Sequence, residues 1–291
     1  DYEGWEWWYE GDLPTPGTSG TARRELTFHG VDTLATYWLN GRLLGNSQNM
    51  FIEHRFDVSG LLEPNGVNKL LVRLESPITA ACRKCYERSM QANHVGWESL
   101  WIRKAPHSYG WDIMPRAVTT GIWRSVELIE RDPMEFTDLY PYTVSLWNRR
   151  GTAAQSARLG LYYRMAASPS DLRGARIHVE GRCGASRFEA DGPASFAAGR
   201  LEFDVVDPRL WWPKGYGEPA LYDLVIQVER DGSTLCRTTS RMGIRTVELV
   251  RTEITTDDRP GEFLFRVNGE PVFCKGSNWV PADAFHSRDA G

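Results

Sequence analysis

No stretch of this 291-residue chain approaches the roughly 18 consecutive apolar residues that a membrane-spanning helix needs. Basic residues do not gather into a run either. The 34 Lys and Arg against 38 Asp and Glu give a formal net charge of −4, which argues against a nucleic-acid partner. Cysteine is sparse, with five scattered residues: Cys82, Cys85, Cys183, Cys236 and Cys274. Cys82 and Cys85 have C-x-x-C spacing, but no second such pair completes a zinc site and no βαβ pattern makes them thioredoxin-like. Mostly free thiols are therefore expected, with no metal and no cofactor, and the odd count leans toward a reducing, cytoplasmic compartment. The chain begins with neither an initiator Met nor a signal peptide, so it is expected to be part of a longer polypeptide.

Tryptophan is what the sequence has in excess. Its 12 residues outnumber the 11 Tyr and 11 Phe, so some indoles are available for binding surfaces after the cores are filled. A hydrophobic fraction of 41% suffices for a sizeable core, and the length predicts about two domains.

Short strands separated by turns dominate the first half. Alternating patterns predict strands over 22–29, 33–39, 53–58, 68–74 and 122–129, with Asn40-Gly41 as a hairpin turn after the second. A helical turn is expected at 57–62 and a short helix over 80–91. Strands so spaced, without regular helices between them, predict a jelly-roll-like β-sandwich. After Arg131-Asp132-Pro133 a second set follows at 138–147, 157–165, 176–180, 201–206, 221–229 and 234–241, with turns at Gly192-Pro193 and Asp231-Gly232. These lengths suit an immunoglobulin-like sandwich without the Cys…Trp…Cys spacing of antibody domains. A last hairpin is expected at 263–274 around Asn268-Gly269.

Three stretches bear on chemistry. In Gly110-Trp111-Asp112-Ile113-Met114-Pro115, Gly and Pro bracket a flat ring beside a carboxylate, which predicts a turn. An indole covers the apolar C–H face of a pyranose and a carboxylate accepts from its hydroxyls, so the pair suits a sugar. The alternative is a buried Trp beside an Asp that bonds its own turn. The paired rings of Leu210-Trp211-Trp212-Pro213 read mainly as a structural wedge. Asn278 and Trp279, in Lys275-Gly276-Ser277-Asn278-Trp279-Val280-Pro281, place an amide and an indole after a strand. In a β/α barrel, active sites are built at that end of a strand.

Together these motifs resemble the N-terminal part of the β-mannosidase branch of glycoside hydrolase family 2. The resemblance rests on Arg103-Lys104 with Gly110-Trp111-Asp112 and Gly121-Ile122-Trp123-Arg124. It also rests on Leu210-Trp211-Trp212-Pro213 with Gly215-Tyr216-Gly217 and Leu221-Tyr222, and on Gly243-Ile244-Arg245 followed by 275–283. It implies a mainly β chain in three parts. Residues 1–131 are a jelly-roll sugar-binding-like domain lacking its first strands, 132–247 an immunoglobulin-like sandwich, and 248–291 the opening of a truncated (β/α)8 barrel. By the same resemblance, Trp111, Asp112, Asn278 and Trp279 line the pocket for a terminal sugar of an oligosaccharide substrate. The two glutamates of a retaining mechanism belong to later barrel strands, so no residue here is assigned a catalytic role. Ile113 and Met114 stand where the family loop usually continues with Trp and Gly, which leaves the sugar specificity open. The other readings are a non-catalytic carbohydrate-binding protein and a different family 2 activity: β-galactosidase, β-glucuronidase or exo-glucosaminidase.

Overall fold

In the computed structural model, residues 2–14, 23–64, 66–85, 96–148 and 155–289 are described. Three two-residue turns set much of the strand register. Asn40-Gly41, Asp231-Gly232 and Asn268-Gly269 all take positive φ at both positions, 51° and 76°, 52° and 77°, and 52° and 85°. That is the mirror-image turn whose twist matches the flanking strands, and Asn, Asp and Gly adopt it at least cost.

The chain divides into two compact units, Asp1–Asp132 together with Asn278–Gly291, and Pro133–Ser277. Among the described residues of the first unit the strands are β1 (Trp7–Leu13), β2 (Arg23–Phe28), β3 (Val31–Asp32), β4 (Leu34–Leu39), β5 (Arg42–Ser47), β6 (His54–Asp57), β7 (Asn68–Glu75), β8 (Gly121–Ile122) and β9 (Val126–Arg131). They pair as β1-β7-β4-β5, β6-β2-β9 and β3-β8. Alternation puts Ala35, Tyr37 and Leu39 of β4 and Leu70, Val72 and Leu74 of β7 inward, against Leu26 and Phe28 of β2. The sandwich core lies between these two sheets. The strand expected over 122–129 is broken at 123–125 into β8 and β9.

The helix α1 (Pro77–Cys82) starts three residues before its expected position. Ser76 explains this, because its hydroxyl accepts the Thr79 N–H at 3.1 Å, and Pro77 then fills the first position, where no N–H is needed. Residues 86–91 of the expected helix lie outside the described residues. At 57–62 the chain makes a single turn closed by Leu61 N–H to Val58 O at 3.0 Å.

The second unit holds β10 (Glu135–Asn148), β11 (Gln155–Ala166), β12 (Arg176–Cys183), β13 (Ser186–Pro193), β14 (Ala198–Val206), β15 (Tyr222–Arg230) and β16 (Ser233–Met242). These seven form the sheets β10-β11-β14 and β13-β12-β15-β16. Leu159 and Leu161 of β11 and Ile177, Val179, Leu224 and Ile226 of the other sheet fill the space between. Gly192-Pro193 is not a turn but the end of β13, with Pro193 opposite Arg176. An edge strand tolerates a residue that cannot donate to a ladder. A further sheet, β17-β18-β19, follows from β17 (Val247–Arg251), β18 (Phe263–Val267) and β19 (Glu270–Val272). Trp211 packs within this unit: the Arg245 guanidinium lies 4.3 Å from its ring, and Asn268 donates to its carbonyl at 3.0 Å. All five cysteines are free thiols.

Candidate functional site

The loop carrying Trp111 and Asp112 is held at both roots by charged groups. On one side β3 pairs with β8, placing Asp32 opposite Gly121. Into this corner runs the fully buried side chain of Lys104, which pairs with the Asp32 carboxylate. Its ammonium also donates to Thr119 O at 2.8 Å and Thr119 Oγ1 at 3.1 Å, and Thr119 Oγ1 donates to Asp32 at 2.8 Å. A buried charge is tolerated only when paired and hydrogen-bonded, and both conditions hold here. Burial pushes the Lys104 ammonium below its ordinary value, while the Asp32 carboxylate opposes the shift.

On the other side Arg116 reaches Glu3 through Nε at 3.0 Å and through Nη2 at 2.9 Å, and Glu98 through Nη2 at 2.9 Å. Its guanidinium also sits 5.8 Å from the centre of the buried Tyr109 ring. Between these clamps, Pro106 opens a one-turn 3-10 helix, Pro106–Tyr109. Ser108 Oγ donates to Ala105 O at 2.7 Å, and Ala117 N–H donates to Ser108 O at 2.9 Å. Gly110 then takes φ of 103°, a conformation that disfavours a side chain.

From that base projects a tight turn. Trp111 and Met114 exchange main-chain hydrogen bonds of 3.1 and 3.0 Å, leaving Asp112 and Ile113 at the tip. Trp111 is 55% exposed, so the alternative of a buried indole does not describe this structure. The Asp112 side chain is exposed and makes no hydrogen bond among the described residues. One turn thus offers an open ring face beside an unengaged acceptor.

Asn278 and Trp279 are also exposed, Trp279 to 82%. No hydrogen bond or ring contact joins either of them to Trp111 or Asp112 among the described residues. Their segment does reach the first sandwich further on. At the start of α2 (His286–Asp289), the His286 ring packs on Phe51, His107 and Trp123. A hollow of about 270 Å3 lined by Arg73, Glu75, Arg83 and Trp101 is bordered by none of the four site residues. The candidate site is therefore an open turn rather than a closed cavity. Among the described residues no cluster of three or more His, Cys, Asp or Glu could hold a metal ion.

Sequence reasoning placed Lys104 in the motif but missed its partners Asp32 and Thr119, as well as Arg116, Glu98 and His286. The available signal was a cation at each end of a Pro- and Gly-bounded stretch, Lys104 and Arg116. Nothing local identifies an acid 72 residues upstream.

Residues 2–124 match the family model described as glycosyl hydrolase 2 galactose-binding domain-like, and residues 174–245 match glycosyl hydrolases family 2. β-Mannosidase B of Aspergillus flavus is 32% identical over 285 residues, covering 95% of this chain and 32% of that relative. The crystal structure of a β-D-mannosidase from Dictyoglomus thermophilum superimposes with a TM-score of 0.76 at 29% identity, covering 98% of this chain and 34% of that one. A β-glucuronidase from Bifidobacterium dentium shares the fold, with a TM-score of 0.59 at 22% identity over 91% of this chain and 42% of its own. This chain spans about a third of the length of the curated relatives it matches. With both domain models matched in order and β-mannosidase relatives aligned along nearly all of its length, the chain belongs to glycosyl hydrolases family 2 and is similar to the N-terminal part of β-mannosidases.

Proposed function

We propose that this chain is the non-catalytic N-terminal portion of an exo-acting, retaining β-mannosidase that removes terminal β-linked mannose from oligosaccharides. Residues 1–131 and 132–247 are the accessory sandwiches, and 248–291 opens the catalytic barrel. One observation carries the reading: an exposed indole and an unengaged carboxylate stand side by side on a turn whose roots are fixed by buried charge. Trp111 covers the apolar face of the terminal sugar while Asp112 accepts from its hydroxyls. Asn278 and Trp279 contribute an amide and a second ring to the same pocket. A hydrogen bond to a charged group contributes roughly 1.5–3 kcal/mol, so Asp112 is the residue on which sugar orientation chiefly depends.

The bond-breaking groups come from outside this chain. A retaining glycosidase sets two carboxyl groups about 5 Å apart, one protonating the leaving oxygen and one forming the glycosyl–enzyme intermediate. Binding residues alone do not replace them. The chain by itself is therefore expected to show no turnover on a chromogenic β-mannoside. The full-length enzyme is expected to hydrolyse aryl β-mannoside in preference to aryl β-galactoside or β-glucuronide, releasing β-mannose first. Preference for another glycoside would reassign the substrate within the family, and turnover by the isolated chain would overturn the division of labour. Tight sugar binding by the isolated chain, read as quenching of Trp fluorescence, would instead favour a stand-alone carbohydrate-binding protein.

A further inference from the structure

The stretch bearing Asn278 and Trp279 has no strand pairing after β19, and residues 273–280 are exposed throughout. His286 lies seven positions after Trp279, and an unanchored chain of that length reaches about 25 Å. Where these side chains sit therefore depends on what holds the tail. The contacts of His286 answer this. Its ring stands edge-on to Phe51, with centroids 5.7 Å apart at 86°, and edge-on to Trp123, at 5.1 Å and 64°. It also lies 6.0 Å from His107, tilted by 55°. Edge-to-face arrangements of this kind are the attractive geometry for aromatic rings.

Each partner belongs to a segment that roots the Trp111–Asp112 turn. Phe51 follows Met50, whose N–H donates to Arg103 O at 3.1 Å. His107 lies in the 3-10 turn three residues before Gly110. Trp123 follows β8, the strand that pairs with β3 beside Lys104, and the Arg124 guanidinium covers its ring at 4.3 Å. The tail is itself folded at this point. Phe285 N–H donates to Asp283 Oδ1 at 2.8 Å, Arg288 N–H donates to Phe285 O at 2.9 Å, and the Arg288 guanidinium lies 5.0 Å from the Phe285 ring.

We propose that His286 is a positioning residue: its ring, seated among Phe51, His107 and Trp123, anchors the 278–285 segment to the base of the 105–117 loop and so holds Asn278 and Trp279 within reach of a sugar bound at Trp111 and Asp112. This rests on the reading above that the four side chains serve one sugar. His286 does not touch substrate. It acts through ring packing, so an aromatic replacement preserves its role and a methyl group does not.

The test uses the full-length enzyme and whichever of aryl β-mannoside, β-galactoside or β-glucuronide the wild type cleaves fastest. His286→Ala is expected to raise KM about tenfold with kcat little changed, the pattern of lost binding rather than lost chemistry. Its Tm should stay within about 2 °C of wild type, since a partly exposed residue outside the core contributes little to stability. His286→Phe is expected to keep the wild-type KM. Unchanged kinetics in His286→Ala would overturn the proposal, as would an equal loss in both variants accompanied by a fall in Tm. Trp111→Ala and Asp112→Asn separate the two levels. If they raise KM while His286→Ala does not, the anchor alone is wrong. If they too leave KM unchanged, the shared sugar site and the anchor fall together.

Discussion

Between β10 and β16 the interior is filled by side chains such as Leu159, Leu161, Ile177, Leu224 and Ile226, and Ser156 is the only serine, amide or charged residue buried there among those described. The first unit, by contrast, buries Glu25, Asp32, Asn68, Glu98 and Lys104 within a sandwich of similar construction. Apolar packing is non-directional and tolerant, whereas a buried ion pair fixes where particular atoms must lie. The buried charges also gather where a loop must be aimed. Lys104 with Asp32, and Glu98 with Arg116, stand at the two roots of the turn that exposes Trp111 and Asp112. Among its described residues the second sandwich has no turn held by a buried ion pair in this way. Buried polarity in this protein thus serves position, at some expense to stability.

The contrast can be broken most forcefully at Lys104. Replacing Lys104 with Met leaves the Asp32 carboxylate buried and uncompensated, and is expected to cost roughly 3–5 kcal/mol in urea denaturation. Adding Asp32→Asn to Lys104→Met should recover much of that loss, because no unpaired charge then remains. A cost below about 1 kcal/mol for the single change would mean that the pair does not hold the loop. Next in size is Ile226→Ala in the second unit, where a fully buried side chain leaves a cavity at a cost of about 2–5 kcal/mol. KM of the full-length enzyme should not change in this variant, and a change would blur the distinction drawn here.

The smallest effect is a dependence on pH to which His29 in the first unit contributes. His29 Nδ1 lies 2.6 Å from a Glu53 carboxylate oxygen and Nε2 3.3 Å from Glu127. The Glu53 hydrogen bond chiefly raises the His29 pKa, against a burial effect that lowers it. The stability this adds is fully present below the free-histidine value of about 6.5 and is lost as pH rises through the raised folded value. His178 beside Asp191 and Glu180 adds a decline of the same sign, so His29→Gln should reduce, and not abolish, the decline in stability above about pH 6.5, visible in urea midpoints measured from pH 6 to 8. A wild-type profile that is flat over that range would contradict the assignment.

The sequence expressed the fold wherever local physics sets it. The strand at 33–39 alternates cleanly, and Asn40-Gly41, Asp231-Gly232 and Asn268-Gly269 each fix a hairpin through conformations that few other residues adopt. β13 left a weaker trace, since Phe188 is the one large apolar side chain along its Ser-Arg-Phe-Glu-Ala-Asp-Gly-Pro run, and an edge strand needs little more. The turn at Trp111–Asp112 was legible because Gly110 and Pro115 bracket it. Its supports were not. Lys104 finds Asp32 72 residues away, Arg116 finds Glu3 113 residues away, and His286 finds Phe51, His107 and Trp123 only once the chain has folded. Residue types announce an exposed ring and carboxylate, but the groups that aim them are a property of topology.

The most direct measurement is kcat/KM of the full-length enzyme carrying Asp112→Asn, on its preferred aryl β-glycoside. If the turn presents this carboxylate to the sugar, loss of a charged acceptor lowers kcat/KM about 10- to 100-fold, with Tm within about 1 °C of wild type because Asp112 makes no hydrogen bond among the described residues. A value within about twofold of wild type would contradict the central claim that this turn is a sugar-binding element.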